Sequence, residues 1–216
     1  MAVTDFLNKI KKEWEVLKGE ESKDKFFYNE NTYPDETTAR REFTRTKQKL
    51  FDVNSWSNLT GVNSTFQLYD KHGNKSAASK IQVGDFMQII LPATPIENWV
   101  TAIEVVEEED AAQFVVRPCP KPQAQKDAAD GDEVKHFFTD DATSTFRVLR
   151  EGTTIMGMEI GRDEKPNNTG EQAGDRPILN TLISEGGWAG FQALQWNKIT
   201  RYYVHLEEVP EDRKEE

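Results

Sequence analysis

The chain predicts an α+β fold: about seven strands in a curved antiparallel sheet packed around a C-terminal helix, with N-terminal helices at the side. Three observations predict it. Strand-like segments recur from Thr65 to Ile160 with mostly short connections, which suits antiparallel hairpins better than crossovers between parallel strands. The last third ends in a Gly-broken, Trp-rich segment over 186–199, where Trp188, Phe191, Gln195, Ile199, Tyr202 and Leu206 recur in steps of three and four, as one helix face requires. The first fifty residues hold two helical patterns.

In order along the chain, Thr4 is a capping residue for a first helix ending near Gly19, with Val3, Phe6, Leu7, Ile10, Trp14 and Leu17 as its apolar stripe. A polar linker over 19–32 is broken only by Phe26-Phe27-Tyr28. Pro34 then opens a second helix that runs to Phe51, with Asp35 and Glu36 at its positive end and Ala39, Phe43, Thr46 and Leu50 on its weak apolar face. The stretch from Asp52 to Gly61 reads as a loop. Strands are expected at 65–69, 81–91, 99–106, 112–117, 134–139, 145–149 and 154–160, with turn chemistry at Asp70–Asn74 and Gly152. The run Phe86 to Leu91 is apolar on both faces and predicts a central strand. Polar loops are expected at 118–133 and 163–177. Residues 200–207 alternate equally well as strand or helix. The organisation predicted is an N-terminal helical segment over 1–51, a main sheet with its C-terminal helix over 52–207, and an acidic tail over 208–216.

Charge narrows the function classes. The 216 residues carry 27 Lys and Arg against 38 Asp and Glu, a formal net charge of −11. Residues 1–50 are near neutral, so the acidity lies in the remainder, which argues against nucleic-acid binding through phosphate neutralisation. No window approaches the roughly 18 apolar residues of a membrane helix, and no signal peptide is read, so no membrane partner and a cytoplasmic location are expected. One cysteine, Cys119, excludes an internal disulfide and a Cys-rich metal site. His72, His136 and His205 lack ligand spacing, so no metal, cofactor or catalytic residue is assigned. The acidic loop 127–133 lacks the ligand pattern of a calcium site. Arg40, Arg41, Arg45, Lys47 and Lys49 crowd the second helix and fit the protein's own acidic body better than an external partner.

A helical start, a strand meander and a long final helix give an order of elements that resembles helix-grip ligand-binding domains. The residues that stand out are polar ones set in apolar stripes: Gln195 among Trp188, Phe191 and Ile199, Gln88 beside Phe86 and Ile90, and Arg147 beside Leu149. A buried polar group needs a hydrogen-bond partner or a ligand. The leading expectation is noncatalytic binding of a small hydrophobic ligand in a cavity between sheet and helix, lined by Trp188, Phe191, Gln195 and Arg147. The alternative is a protein-interaction module acting through an acidic surface, and an enzyme ranks third.

Overall fold

Residues 25–32, which the sequence presents as a polar linker, form a strand paired along all eight residues, with Phe27, Asn29 and Asn31 on one face and Phe26, Tyr28 and Glu30 on the other. In the computed structural model, which describes residues 25–90, 97–122, 141–162 and 187–210, this is β1 (Lys25–Thr32). The linker reading fails because Asn29 and Asn31, polar as they are, hydrogen-bond the facing helix instead of water. The first helix, the strand at 134–139 and the loops expected at 123–133 and 163–177 lie outside the described residues.

After β1 come α1 (Glu36–Phe51), a 3-10 helix (Val53–Asn58), β2 (Thr65–Tyr69), β3 (Phe86–Ile90), β4 (Glu97–Glu107), β5 (Ala111–Pro118), β6 (Thr143–Glu151), β7 (Thr154–Arg162) and α2 (Gly187–Tyr203). The seven strands form one antiparallel sheet in the order β1-β7-β6-β5-β4-β3-β2. From β2 to β7 each strand pairs with the next in sequence, a meander built of hairpins and short returns. β3 is therefore second from an edge, not central as its apolar run suggested; β5 holds the middle. Both faces of β3 are apolar because clusters lie on both sides of the sheet, whichever strand is central.

The inner face carries Phe66, Leu68, Met87, Ala102, Ala112, Phe114, Val116, Phe146, Val148 and Ile155, and both α1 and α2 pack on it. Trp56 fills its middle, with ring centroids 5.1 Å from Phe146, 5.4 Å from Phe66 and 5.8 Å from Tyr203. Its indole N–H donates to the Lys49 carbonyl at 3.0 Å, so the ring is buried with its one polar atom paired. The expected loop at 52–61 is thus a 3-10 turn that carries a core residue. On the outer face Ala111, Leu149, Met156, Met158 and Ile160 form a second cluster with Phe26 and Tyr28.

α1 starts at Glu36, so Pro34 precedes its first turn, and Asp35 caps it: its carboxylate accepts from the Thr38 N–H at 2.7 Å. The basic side of α1 is neutralised within the protein, with Arg40 on Glu109, Lys47 on Glu107, Lys49 on Glu208, and Arg41 and Arg45 on Glu42.

α2 ends in a left-handed residue, His205 at φ 62°. The Leu206 N–H reaches back to the Arg201 carbonyl at 2.9 Å and the His205 N–H to the Tyr202 carbonyl at 3.2 Å, the paired bonds of a Schellman cap. The ambiguity at 200–207 resolves as helix through Tyr203 and turn beyond. Leu206 leaves the predicted stripe for that reason and is 40 % exposed.

Candidate ligand-binding site

Three features of β7 and β1 set where α2 lies. On the inner face β7 presents Gly157, Glu159 and Gly161, while Met156, Met158 and Ile160 go to the outer cluster. Gly157 has no side chain to hold the helix off: a Cβ there would sit 3.0 Å from the Thr200 carbonyl oxygen and 3.1 Å from the Tyr203 Cβ. From β1, the Asn29 amide donates to Asn197 Oδ1 and Thr200 Oγ1, each at 2.9 Å, and the Asn31 amide donates to the Val204 carbonyl at 2.9 Å. From α1, the Thr46 hydroxyl donates to the Tyr203 carbonyl at 2.8 Å and the Lys49 ammonium to the Tyr202 carbonyl at 3.0 Å. The last carbonyls of α2, which the helix itself cannot pair, are met by side chains of two other elements.

Pinned this way, α2 buries Gln195, Trp196, Ile199, Thr200, Tyr202 and Tyr203. The Trp196 ring lies 5.4 Å from Phe146 and 6.2 Å from Phe66. Three polar atoms of this buried surface have no hydrogen-bond partner: Gln195 Oε1, Trp196 Nε1 and the Tyr203 hydroxyl. Their residues are 4 %, 7 % and 0 % exposed, so bulk water does not serve them. On the same face of the sheet β7 carries Glu159, 1 % exposed and the cross-strand partner of Phe146. Burial raises the Tyr203 phenol well above its usual range, and the Glu159 charge adds to that rise. The buried side of α2 thus carries an amide oxygen, an indole N–H and a phenol among aromatic rings.

A curved antiparallel sheet closed on a long C-terminal helix, with the first strand joined to the last, is a helix-grip arrangement. The fold is helix-grip-like. Among solved structures the chain is similar to a hypothetical protein of Helicobacter pylori, at 14% identity and TM-score 0.47 over 83% of this chain and 88% of that one. It is also similar to a norcoclaurine synthase point mutant of Thalictrum flavum in complex with a transition-state analogue, at 12% identity and TM-score 0.38 over 85% of this chain and 96% of that one. A major latex-like protein of Panax ginseng gives 11% identity and TM-score 0.38 over 85% and 99%. At such identities and scores the likeness carries no activity across. No protein-family model matches the chain, and no curated protein matches it in sequence.

Of the four residues expected to share a lining, Gln195 is buried, 4 % exposed, on α2. Trp188 and Phe191 fall in the first turns of α2, and their side chains lie outside the described residues. Arg147 is not with Gln195. It pairs across the sheet with Gln113 and Met158, and its neighbours Phe146 and Val148 take the inner face, so it projects from the outer one. There its Nε donates to Gln113 Oε1 at 2.7 Å and the Gln113 amide donates in turn to the Glu104 carboxylate. Burial pushes the Arg147 pKa down to about 10, against the pull of Glu104, which leaves it a cation at neutral pH. Register, which a single strand's pattern does not reveal, separates the two residues.

Glu159 was missed. The signal was present: one charged residue between Gly157 and Gly161 in an otherwise apolar strand, on the face opposite Met156, Met158 and Ile160. Trp196 and Tyr203 were also missed, because steps of three and four from Trp188 follow one stripe of a helix that buries a wider face.

The other candidates have ordinary roles. Gln88 accepts from the Tyr69 hydroxyl at 3.1 Å. Burial pushes the Cys119 thiol up to about 12, so it is no thiolate nucleophile at neutral pH. His205 sits at the helix corner, between Glu208 on one nitrogen and Thr46 and the Glu42 carbonyl on the other. Among the described residues no group of three or more His, Cys, Asp or Glu is placed to hold a metal ion, and no helix is long and apolar enough to cross a membrane. A surface cleft of about 400 Å3 is lined by Arg45, Gln48, Lys49, Asp52, Ser79 and Tyr202. It is mainly polar, and Lys49 on its wall is already bound by Glu208 and the Tyr202 carbonyl.

Proposed function

We propose that this chain binds a small, mainly apolar ligand in the gap between α2 and the inner face of the sheet, and performs no chemistry on it. The observation that carries the reading is the trio of buried, unpartnered atoms Gln195 Oε1, Trp196 Nε1 and Tyr203 Oη. A buried polar group left unpaired costs about 1–3 kcal/mol, and three along the buried side of one helix are a standing demand for hydrogen bonds. A ligand that answers them within an aromatic wall has both its affinity and its orientation explained. Trp188 and Phe191, on the preceding turns of α2, are assigned to the same lining, and Glu159 replaces Arg147 in it.

A protein-interaction role gains no such support from the second helix, whose cations are paired within the molecule. Native mass spectrometry of protein purified from its host, before and after denaturation, tests the proposal. A stoichiometric small molecule released on unfolding is expected. A clean apo mass, together with no uptake of any apolar probe, would remove the proposal.

A further inference from the structure

We infer that the outer face of the sheet is a docking surface for the chain's own N-terminal segment, residues 3–18, laid across it as an amphipathic helix and closing it to outside partners. The inference is independent of the ligand reading above, which concerns the opposite face.

The outer face is continuous in register. Tyr28, Met158, Arg147 and Gln113 form one row across β1, β7, β6 and β5, and Phe26, Ile160, Thr145 and Val115 form the next. Both α1 and α2 pack on the inner side. A sheet face left to solvent keeps its side chains partly wet. Here Met158 and Ile160 are each 1 % exposed, and Arg147 and Gln113 each 5 %. Neighbours on a pleated face stand side by side and shield one another's flanks, not their tips. The tips are therefore covered by a further part of the chain.

Reach and chemistry point to the N-terminal segment. β1 begins at Lys25, and Phe26 and Tyr28 already pack with the outer cluster. Residues 19–24 can extend to about 20 Å, while the face from β1 to β5 is about 19 Å wide. A helix over 4–18 is about 22 Å long, enough to cross those four strands. Its stripe of Val3, Phe6, Leu7, Ile10, Trp14 and Leu17 falls within about 100° of arc, with Lys9, Lys11 and Lys12 turned away. A helix this short is marginal in water and needs a surface to rest on. The stretches 123–133 and 163–177 hold no large apolar residue to lay on the face.

The methionines report on the two faces of the full chain: Met156 and Met158 on the outer one, Met87 on the inner one. Hydrogen peroxide oxidises a methionine that it can reach, and peptide mass gives the rate at each position. Ile10→Asp sets a charge in the stripe and should raise the oxidation rate of Met158 at least tenfold, with Met87 unchanged. Lys12→Asp, on the polar side, should leave both rates within twofold of the parent. Met158 still protected in Ile10→Asp, alongside Met87, would overturn the inference. NOEs in the unmodified chain decide the matter even if that variant unfolds. Contacts of the Met158 and Ile160 methyls with Leu7, Ile10 or Trp14 are expected. Contacts with residues 134–138, with 178–183 or, in a mixed-label sample, with a second copy in their place would overturn it. Neither readout depends on whether a ligand binds beneath α2.

Discussion

Gly157→Ala tests the seating of α2 on β7 directly. The added methyl would stand 3.0 Å from the Thr200 carbonyl oxygen, 3.1 Å from the Tyr203 Cβ and 3.2 Å from Val204 Cγ1. Ordinary contact begins near 3.4 Å, so the neighbours must withdraw by a few tenths of an ångström. Two of the three atoms belong to, or lie next to, helix backbone that is pinned by Asn29, Asn31 and Thr46, so rotation of one side chain does not relieve the clash. Overpacking of this kind costs about 1–3 kcal/mol. Alanine returns about 0.5–1 kcal/mol by restricting the unfolded chain. The balance is a loss of about 1–2 kcal/mol, or roughly 2–8 °C in Tm for a chain of this size. Guanidinium unfolding at matched protein concentration gives the midpoint, with an unchanged slope expected. A Tm equal to or above that of the parent would refute the argument that the missing Cβ is what lets the helix sit this close.

Thr46→Val keeps the shape of a fully buried side chain but removes its bond to the Tyr203 carbonyl and its contact with His205; a loss of about 1–3 kcal/mol in urea unfolding is expected. Burial, reinforced by Lys49, holds the His205 imidazole below its usual range. Its folded pKa therefore lies below the unfolded value of roughly 6.5, so the stability tied to the neutral ring is present above that value and is lost as pH falls through the folded one. His205→Asn, which tolerates the left-handed backbone, should flatten the fall in urea midpoint on the acid side of pH 6.5; an NMR titration placing His205 above the ordinary histidine value would contradict the sign. Cys119 should resist iodoacetamide in the native protein and react once after unfolding, read by intact mass, and ready labelling of the folded chain would show the thiol is not buried as described.

The fold class was legible because it rests on periodicity and connection length, which are local. Short connections predicted antiparallel neighbours, the charged turn after β4 predicted its pairing with β5, and Arg150-Glu151-Gly152 predicted the β6–β7 turn, where Gly152 takes φ 58°; a further strand expected at 134–139 would have stood between β5 and β6, which pair directly. β1 was hidden: a run ending in four consecutive polar residues, Asn29 to Thr32, is indistinguishable from a linker until β7 is there to pair with it. The 3-10 turn at Trp56 was hidden for a similar reason, since its one large residue has no neighbours of matching period. Gln195 stood out because a polar residue in an apolar stripe breaks a local pattern, and it is buried. Arg147 broke a pattern too, but which face of the sheet it occupies depends on register set by partners far away in sequence. Glu159 obeyed a pattern of its own, small–charged–small, whose meaning appears only when a helix is laid over it.

The pairing of β1 with β7 also bears on how the chain is made. Lys25 and Gly161 are register partners, so the strand that leaves the ribosome early cannot be completed until nearly the last of the sheet has followed. At ordinary rates of synthesis that delay is on the order of ten seconds. Through it, Phe26-Phe27-Tyr28 stands as an apolar strand without a partner, and β7 in turn emerges with one open edge. The same pairing delivers Asn29 and Asn31 to α2, so joining β1 to the edge of the sheet and seating the helix are one event at the end of assembly. A nascent chain stalled before β7 would be the form most exposed to capture by chaperones or by its own copies.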